Sequence, residues 1–472
     1  METKKHRKKV DSGRSFKELF NSVVAVVERH SLLISLSSLC LGLLVGELCP
    51  AVGETVSHGV SKFVDAYSVF VPFLLYFLLS SALVKMVDLT EEHGSAFIFW
   101  TMTQFVGARL FAILFAILGL SFIFHLPFTL DGALTPVAMM RKVGVQLWEA
   151  LTGNPFLYGV YAALATVPLA TKFPKVKNFF VVLGDWIEAA GQALVLITPA
   201  FMLAVGAFFT NLPQYAAESL SSQGFGAETN IMKLIHIVLP HWVPEKYTFV
   251  WMYLMMSGMT AVFCLVWHAL YIAFTRMVQP NFSIRRYVSK YWVEVYPLLW
   301  ASSSESLGVP LSLARMKVAF PEVPDSIRRF VIAGGSYLGI NGTLICVYVM
   351  GVMLANFVGV QISILQLLVS LPVIFLMGYT VPGIPGELIL FADTMSLILG
   401  IPPAIKPLFV ALYLTMQIGL PDSFRTGCNS TDSALLAITT CRHIHRMDLE
   451  PDEELEPEAA MELAVVLNDR QE

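Results

Sequence analysis

Asp422-Ser-Phe-Arg425-Thr426-Gly-Cys-Asn429-Ser-Thr-Asp432 puts three charged residues, Thr426 and Asn429 between apolar flanks near the C-terminus. On a helix turning about 100° per residue, positions 422, 425, 426, 429 and 432 fall within a stripe roughly 120° wide. Phe424, small residues and hydroxyls occupy the other faces, and Leu, Ile and Ala fill the flanks. A charge at membrane depth costs roughly 3 kcal/mol or more, so such residues usually face a cavity and serve a site. The stripe is therefore where cargo is expected to be held.

Composition points the same way. Of 472 residues, 56% are hydrophobic and only 14% charged, where a soluble globular chain carries about a quarter charged residues. Several runs reach the roughly 20 apolar residues that a bilayer crossing needs. The chain reads as an all-α polytopic membrane protein. Its formal net charge of -4 hides an asymmetry between a basic start (Lys4, Lys5, Arg7, Lys8, Lys9) and a tail, 447–472, holding ten acidic residues and one basic. That tail, with Pro451 and Pro457, reads as a disordered extension. The six cysteines show no paired spacing and read as small apolar core residues. No cleavage site follows the first apolar run convincingly, so it is read as a retained span.

Spans are expected near 31–50, 66–87, 97–124, 155–171, 179–212, 247–275, 330–358 and 404–441. Two stretches differ. Residues 292–320 centre on Ser302-Ser303-Ser304-Glu305, and residues 362–402 on Val381-Pro-Gly383-Ile-Pro-Gly-Glu387; each has apolar arms around a polar or Pro/Gly tip. Irregular backbone at membrane depth is tolerated only beside protein or a water-filled cavity, so both read as re-entrant hairpins. Basic clusters at Lys172–Lys177, Arg276–Lys290 and Arg442–Arg446 fall on one side of an eight-span arrangement, which the positive-inside rule makes cytoplasmic. Both termini are then cytoplasmic and 213–246 is an extracytoplasmic loop. Each hairpin is followed by a span, 292–358 and 362–441, and the two units enter from opposite sides. Such inverted repeats mark secondary transporters.

These elements resemble the dicarboxylate/amino acid:cation symporter family, which includes archaeal aspartate transporters and excitatory amino acid transporters. The resemblance is carried by the serine tip with Leu307-Gly-Val-Pro310, by Gly335-Ser-Tyr-Leu-Gly339-Ile-Asn341-Gly342-Thr343, by Val381-Pro-Gly-Ile-Pro-Gly386 and by Asp422-x-x-Arg425-Thr426-x-x-Asn429. It implies a homotrimer with a scaffold and a mobile transport domain that works as an elevator. It also implies a small-molecule cargo, no nucleic-acid partner, no cofactor, and a transported sodium ion or proton as coupling ion.

Arg425 offers a planar fork for a carboxylate, and Asp422, one turn away, accepts from an ammonium group. An acidic amino acid presents both. The resemblance assigns Thr343, Thr426 and Asn429 to cargo, with its α-carboxylate at Ser303, Ser304 and the Val381–Gly383 tip. A plain structural Asp422–Arg425 ion pair is the alternative. The cation set it implies is Gly335, Gly339, Asn341, Asn429 and Asp432. Asn341 stands where the family has aspartate, and Phe111-Ala112 where its third span has Thr-Ser, so one sodium site is expected to be missing. Asp432 comes three residues after Asn429 rather than four, which leaves open that it is only a helix-end acid. Glu305 and Glu387 are possible proton carriers at the tips, against a solvated side chain in the aqueous cavity as the plainer reading. Arg109 reads as capping a polar contact or snorkelling.

The leading expectation is an importer of acidic amino acids in a bacterial inner membrane. Carriers of serine, threonine or C4-dicarboxylates, and a channel or receptor on the same fold, remain open. No Walker, HExxH or G-x-S-x-G motif points to an enzyme.

Overall fold

The computed structural model describes residues 31–52, 95–129, 155–183, 248–303, 305–333, 340–380 and 387–445, with Gly335 and scattered positions within 55–84, 141–152 and 199–210. The described residues are helical and contain no strand. The basic N-terminus, the 213–246 loop, the acidic tail from 446, Ser304, Gly339 and the second tip with Val381 and Gly383 lie outside them, as do most of the expected 66–87 and 179–212 spans.

In chain order the helices are α1 (Ser31–Leu48), α2 (Ser95–Ile123), α3 (Pro155–Lys172), α4 (Thr248–Val278), α5 (Ile284–Tyr287), α6 (Val293–Ser302), α7 (Glu305–Ala319) and α8 (Asp325–Arg328). They continue with α9 (Asn341–Phe357), α10 (Ile364–Met377), α11 (Ala392–Ile398), α12 (Lys406–Met416) and α13 (Leu420–His445). Among the described residues, Phe99–Ile123 and Phe249–Val278 are long and apolar enough to cross a membrane. Their outward residues (Phe111, Phe122, Leu254, Val262 and Phe274 among them) are exposed and apolar. Water would not tolerate so much uncovered hydrocarbon, and lipid does.

Helix α13 is the hub, packing along α4, α6, α7 and α9. Helices α6 and α7 fold back on one another about Ser303, whose left-handed φ of 51° breaks the helix at the serine tip. Helix α10 starts at a capping box in which Ser363 and Gln366 satisfy each other's backbone.

One expected span is broken within its apolar run. The 404–441 run is two helices, α12 and α13, separated at Gly419, where φ is +83° and a Cβ would lie 2.5 Å from Tyr253 Oη. Only glycine fits there. The Tyr253 hydroxyl seals the break, donating to Ile418 O at 2.9 Å and accepting from Leu420 N at 2.9 Å. The 330–358 run opens on a π-helical turn, Arg329–Ala333, and contains the α-helix Asn341–Phe357.

The cysteines behave as small apolar residues in the core at 264, 346, 428 and 441, whereas Cys40 and Cys49 are exposed; all six are free thiols.

Candidate functional site

All five stripe residues of α13 are buried, but they serve two separate clusters. The first surrounds Arg425. Its guanidinium pairs with Asp422 on its own helix and with Glu387 at the start of the short 3₁₀ turn Glu387–Phe391. Helix α9 brings Thr343 alongside, and α7 brings Glu305. The hydrogen bonds form a closed set. Thr343 Oγ1 donates to Glu387 Oε1 at 2.8 Å and accepts from Arg425 Nη1 at 3.0 Å and Asn429 Nδ2 at 2.8 Å. Asn429 Nδ2 also donates to Glu305 Oε1 at 2.6 Å, and its Oδ1 accepts from the Thr343 backbone N–H at 3.1 Å. Every proton and lone pair of the Thr343 hydroxyl is thereby used.

Close approach of α9 and α13 makes this network possible. Gly342 faces α13 so tightly that a Cβ there would lie 2.6 Å from Arg425 O and 3.0 Å from Asn429 Oδ1. At the serine tip, Ser423 Oγ donates to Gly419 O at 2.9 Å, which leaves Ser303 Oγ as donor to Ser423 Oγ at 3.0 Å. Two buried oxygens near Arg425 lack a hydrogen-bond partner, Thr426 Oγ1 and Glu305 Oε2.

Glu305 and Glu387 are only 1% and 2% exposed, so the plainer expectation of solvated side chains does not hold. The reason is pairing: Arg425 neutralises Glu387, and Asn429 supplies a donor to Glu305. Asp422 and Arg425 do form the i,i+3 ion pair weighed as an alternative, within a larger set. Arg109 is wholly buried; it lies 4.1 Å over the Tyr379 ring and donates to Gly378 O at 3.5 Å, so it caps a polar contact and does not snorkel.

The second cluster surrounds Asp432. Its carboxylate accepts from Trp267 Nε1 at 2.7 Å, His268 Nδ1 at 2.7 Å and Asn341 Nδ2 at 2.9 Å. Gly335 lies against Ser433, next to Asp432. Asn429, expected in the cation set, instead bonds Glu305 and Thr343 in the first cluster. Phe105 and Ala108 of α2 border the gap beside Asp432, whereas Phe111 is exposed. The expected placement of Phe111-Ala112 beside that site thus finds Phe111 on the outer surface and Ala112 buried.

Sequence reasoning missed Trp267, His268 and Tyr287. A histidine inside an apolar 31-residue helix was the available signal, because a titratable group at membrane depth is rarely idle.

Residues 246–442 match the sodium:dicarboxylate symporter family. The matched segment contains every described member of both clusters. No curated protein matches the chain. The family match covers residues 246–442 of the 472, and it makes this part of the chain similar to a family of sodium:dicarboxylate symporters.

Proposed function

We propose that this protein is a secondary importer of small amino acids, with cargo bound around Arg425. One observation carries the reading. A guanidinium and a carboxylate one turn apart, Arg425 and Asp422, are buried together with the Asn429 amide of their own helix and the Thr343 hydroxyl of a second. An amino acid presents the complementary pair, a carboxylate for Arg425 and an ammonium for Asp422. The unpartnered Glu305 Oε2 offers the ammonium a second acceptor. The α-carboxylate is assigned to Ser303, Ser304 and the tip containing Val381 and Gly383, while Thr343, Thr426 and Asn429 line the site. Acidic amino acids are the first reading, with the cargo's side-chain carboxylate taking the place on Arg425 that Glu387 holds here.

A second reading, serine or threonine as cargo, is favoured by that same Glu387–Arg425 pair. An arginine already balanced by two carboxylates gives little to a third. Sodium or protons drive uptake, and Glu305 and Glu387 are the candidate proton carriers. By family resemblance we assign eight spans with two re-entrant hairpins, a homotrimer, elevator motion, and a bacterial inner membrane with both termini in the cytoplasm.

Radiolabelled uptake into proteoliposomes tests this, with L-aspartate and L-serine offered separately under a sodium gradient and under a proton gradient. Aspartate uptake supports the first reading and serine uptake alone the second. If neither enters under either gradient, the proposal fails.

A further inference from the structure

The geometry points to Asp432 as a structural acceptor whose ion has been replaced by the protein's own donors: Trp267, His268 and Asn341 hold it, and the coupling ion binds elsewhere. This goes beyond the cargo assignment and does not depend on which amino acid is carried.

An ionised carboxylate only accepts, so each of its three close neighbours presents N–H to it. Oδ1 takes His268 Nδ1 at 2.7 Å, and Oδ2 takes Trp267 Nε1 at 2.7 Å and Asn341 Nδ2 at 2.9 Å, with Cys428 Sγ 3.9 Å from the same oxygen. Indole and imidazole donors are the wrong chemistry for a hard cation, which prefers a shell of about six oxygens. The outer shell fixes the imidazole too. Its Nε2 lies 3.2 Å from Tyr287 Oη, whose single proton is shared between that nitrogen and Thr431 O at 3.1 Å, one residue before Asp432. The ring is thus held at both nitrogens, between α4, α5 and α13.

Space argues the same way. The gap bounded by Phe105, Ala108, Tyr271, Asn341, Asp432, Ser433 and Leu436 does not admit a water-sized sphere. An ion that kept any of its water would have to push α2 or α4 aside. Asn341 Oδ1 is buried without a hydrogen-bond partner, but one amide oxygen is not a coordination shell. The substitution is also self-consistent. Exchanging an acid for Asn341 removes a negative charge and adds a donor, and His268 and Trp267 supply the rest of what a cation would give Asp432.

The test compares the melting temperature of the purified full-length protein in sodium chloride and in choline chloride, for wild type and for Asp432→Asn. A structural Asp432 predicts a lower melting temperature for D432N in both salts, with the sodium-induced shift the same as in wild type. Loss of the sodium-induced shift in D432N overturns the proposal, because removing a ligand should weaken sodium binding by at least about tenfold. If D432N does not fold, Trp267→Phe decides. Equal destabilisation in both salts supports the proposal. Destabilisation that appears in choline and is reversed by sodium shows the freed carboxylate oxygen receiving an ion, and refutes it.

Discussion

Replacing Glu387 by glutamine should move cargo preference toward acidic amino acids. Glu387 and Arg425 have fully buried side chains in direct contact. A contact pair of unit charges at an effective dielectric constant near 20 attracts by about 4 kcal/mol. A cargo carboxylate must replace that attraction to reach Arg425. The glutamine amide oxygen still accepts from Thr343 and still presents a dipole to the guanidinium. If the dipole keeps about half the attraction, the competing energy falls by about 2 kcal/mol, or roughly thirtyfold in relative affinity.

The fold should survive the exchange. Breaking a buried ion pair typically costs about 3–5 kcal/mol because it strands a charge. Here Asp422 remains on Arg425, so the loss is nearer the roughly 1.5–3 kcal/mol of one charged hydrogen bond. The assay is competition between labelled L-aspartate and unlabelled L-serine for uptake by proteoliposomes, read as the ratio of half-saturating concentrations. In E387Q that ratio should shift toward aspartate whichever cargo the wild type prefers. A ratio unchanged to within about twofold, in protein that melts cooperatively, would refute the displacement argument.

Three further substitutions probe the same cluster. Arg425→Cys leaves Asp422 and Glu387 buried without their cation, so aspartate uptake should vanish and stability should fall by about 3–5 kcal/mol; undiminished aspartate affinity would take Arg425 out of the site. Asp422→Asn should weaken amino acids by about 10–100-fold while sparing succinate, since only the amino acid brings an ammonium, and equal losses would argue against that role. Gly342→Ala puts a methyl 2.6 Å from Arg425 O, so α9 must retreat from α13; uptake should collapse alongside a stability loss of about 1–3 kcal/mol, and normal transport would show the contact to be slack.

The stripe on α13 was legible because helical periodicity alone sorts positions 422, 425, 426, 429 and 432 onto one face. Periodicity also placed the break at the serine tip, where Ser302–Ser304 interrupt two apolar arms. It could not place the partners of that face. Glu387 lies 38 residues from Arg425 and reaches it only because a helix–turn–helix excursion returns to α13. Burial was equally hidden: an acid next to Gly and Pro looks solvated until its arginine is found. The Gly419 break was more readable than it seemed. Pro421 in the first turn of α13 is a helix-start signal, and an apolar run spanning it was read straight through. His268 and Trp267 could be suspected from depth but not assigned, since nothing local in α4 says which helix they face.

Division of the stripe into two clusters has a consequence for how transport can be driven. Around Arg425 stand three buried carboxylates, Glu305, Glu387 and Asp422, against one guanidinium. Around Asp432 the single carboxylate is matched by nitrogen donors. Formal negative charge is therefore greater where cargo is proposed to bind, and the lone carboxylate where the resemblance puts a sodium ion is satisfied by hydrogen-bond donors. Low-dielectric surroundings make such an excess costly, and the cost is relieved only by incoming positive charge. A cargo ammonium supplies part of it, and a coupling cation or proton supplies the rest. Binding cargo and binding the driving ion then stabilise the same cluster, and each raises affinity for the other by the same factor. On the proposed cargo site, coupling is expected at Arg425 and its three acids, rather than divided between a cargo site and a remote ion site.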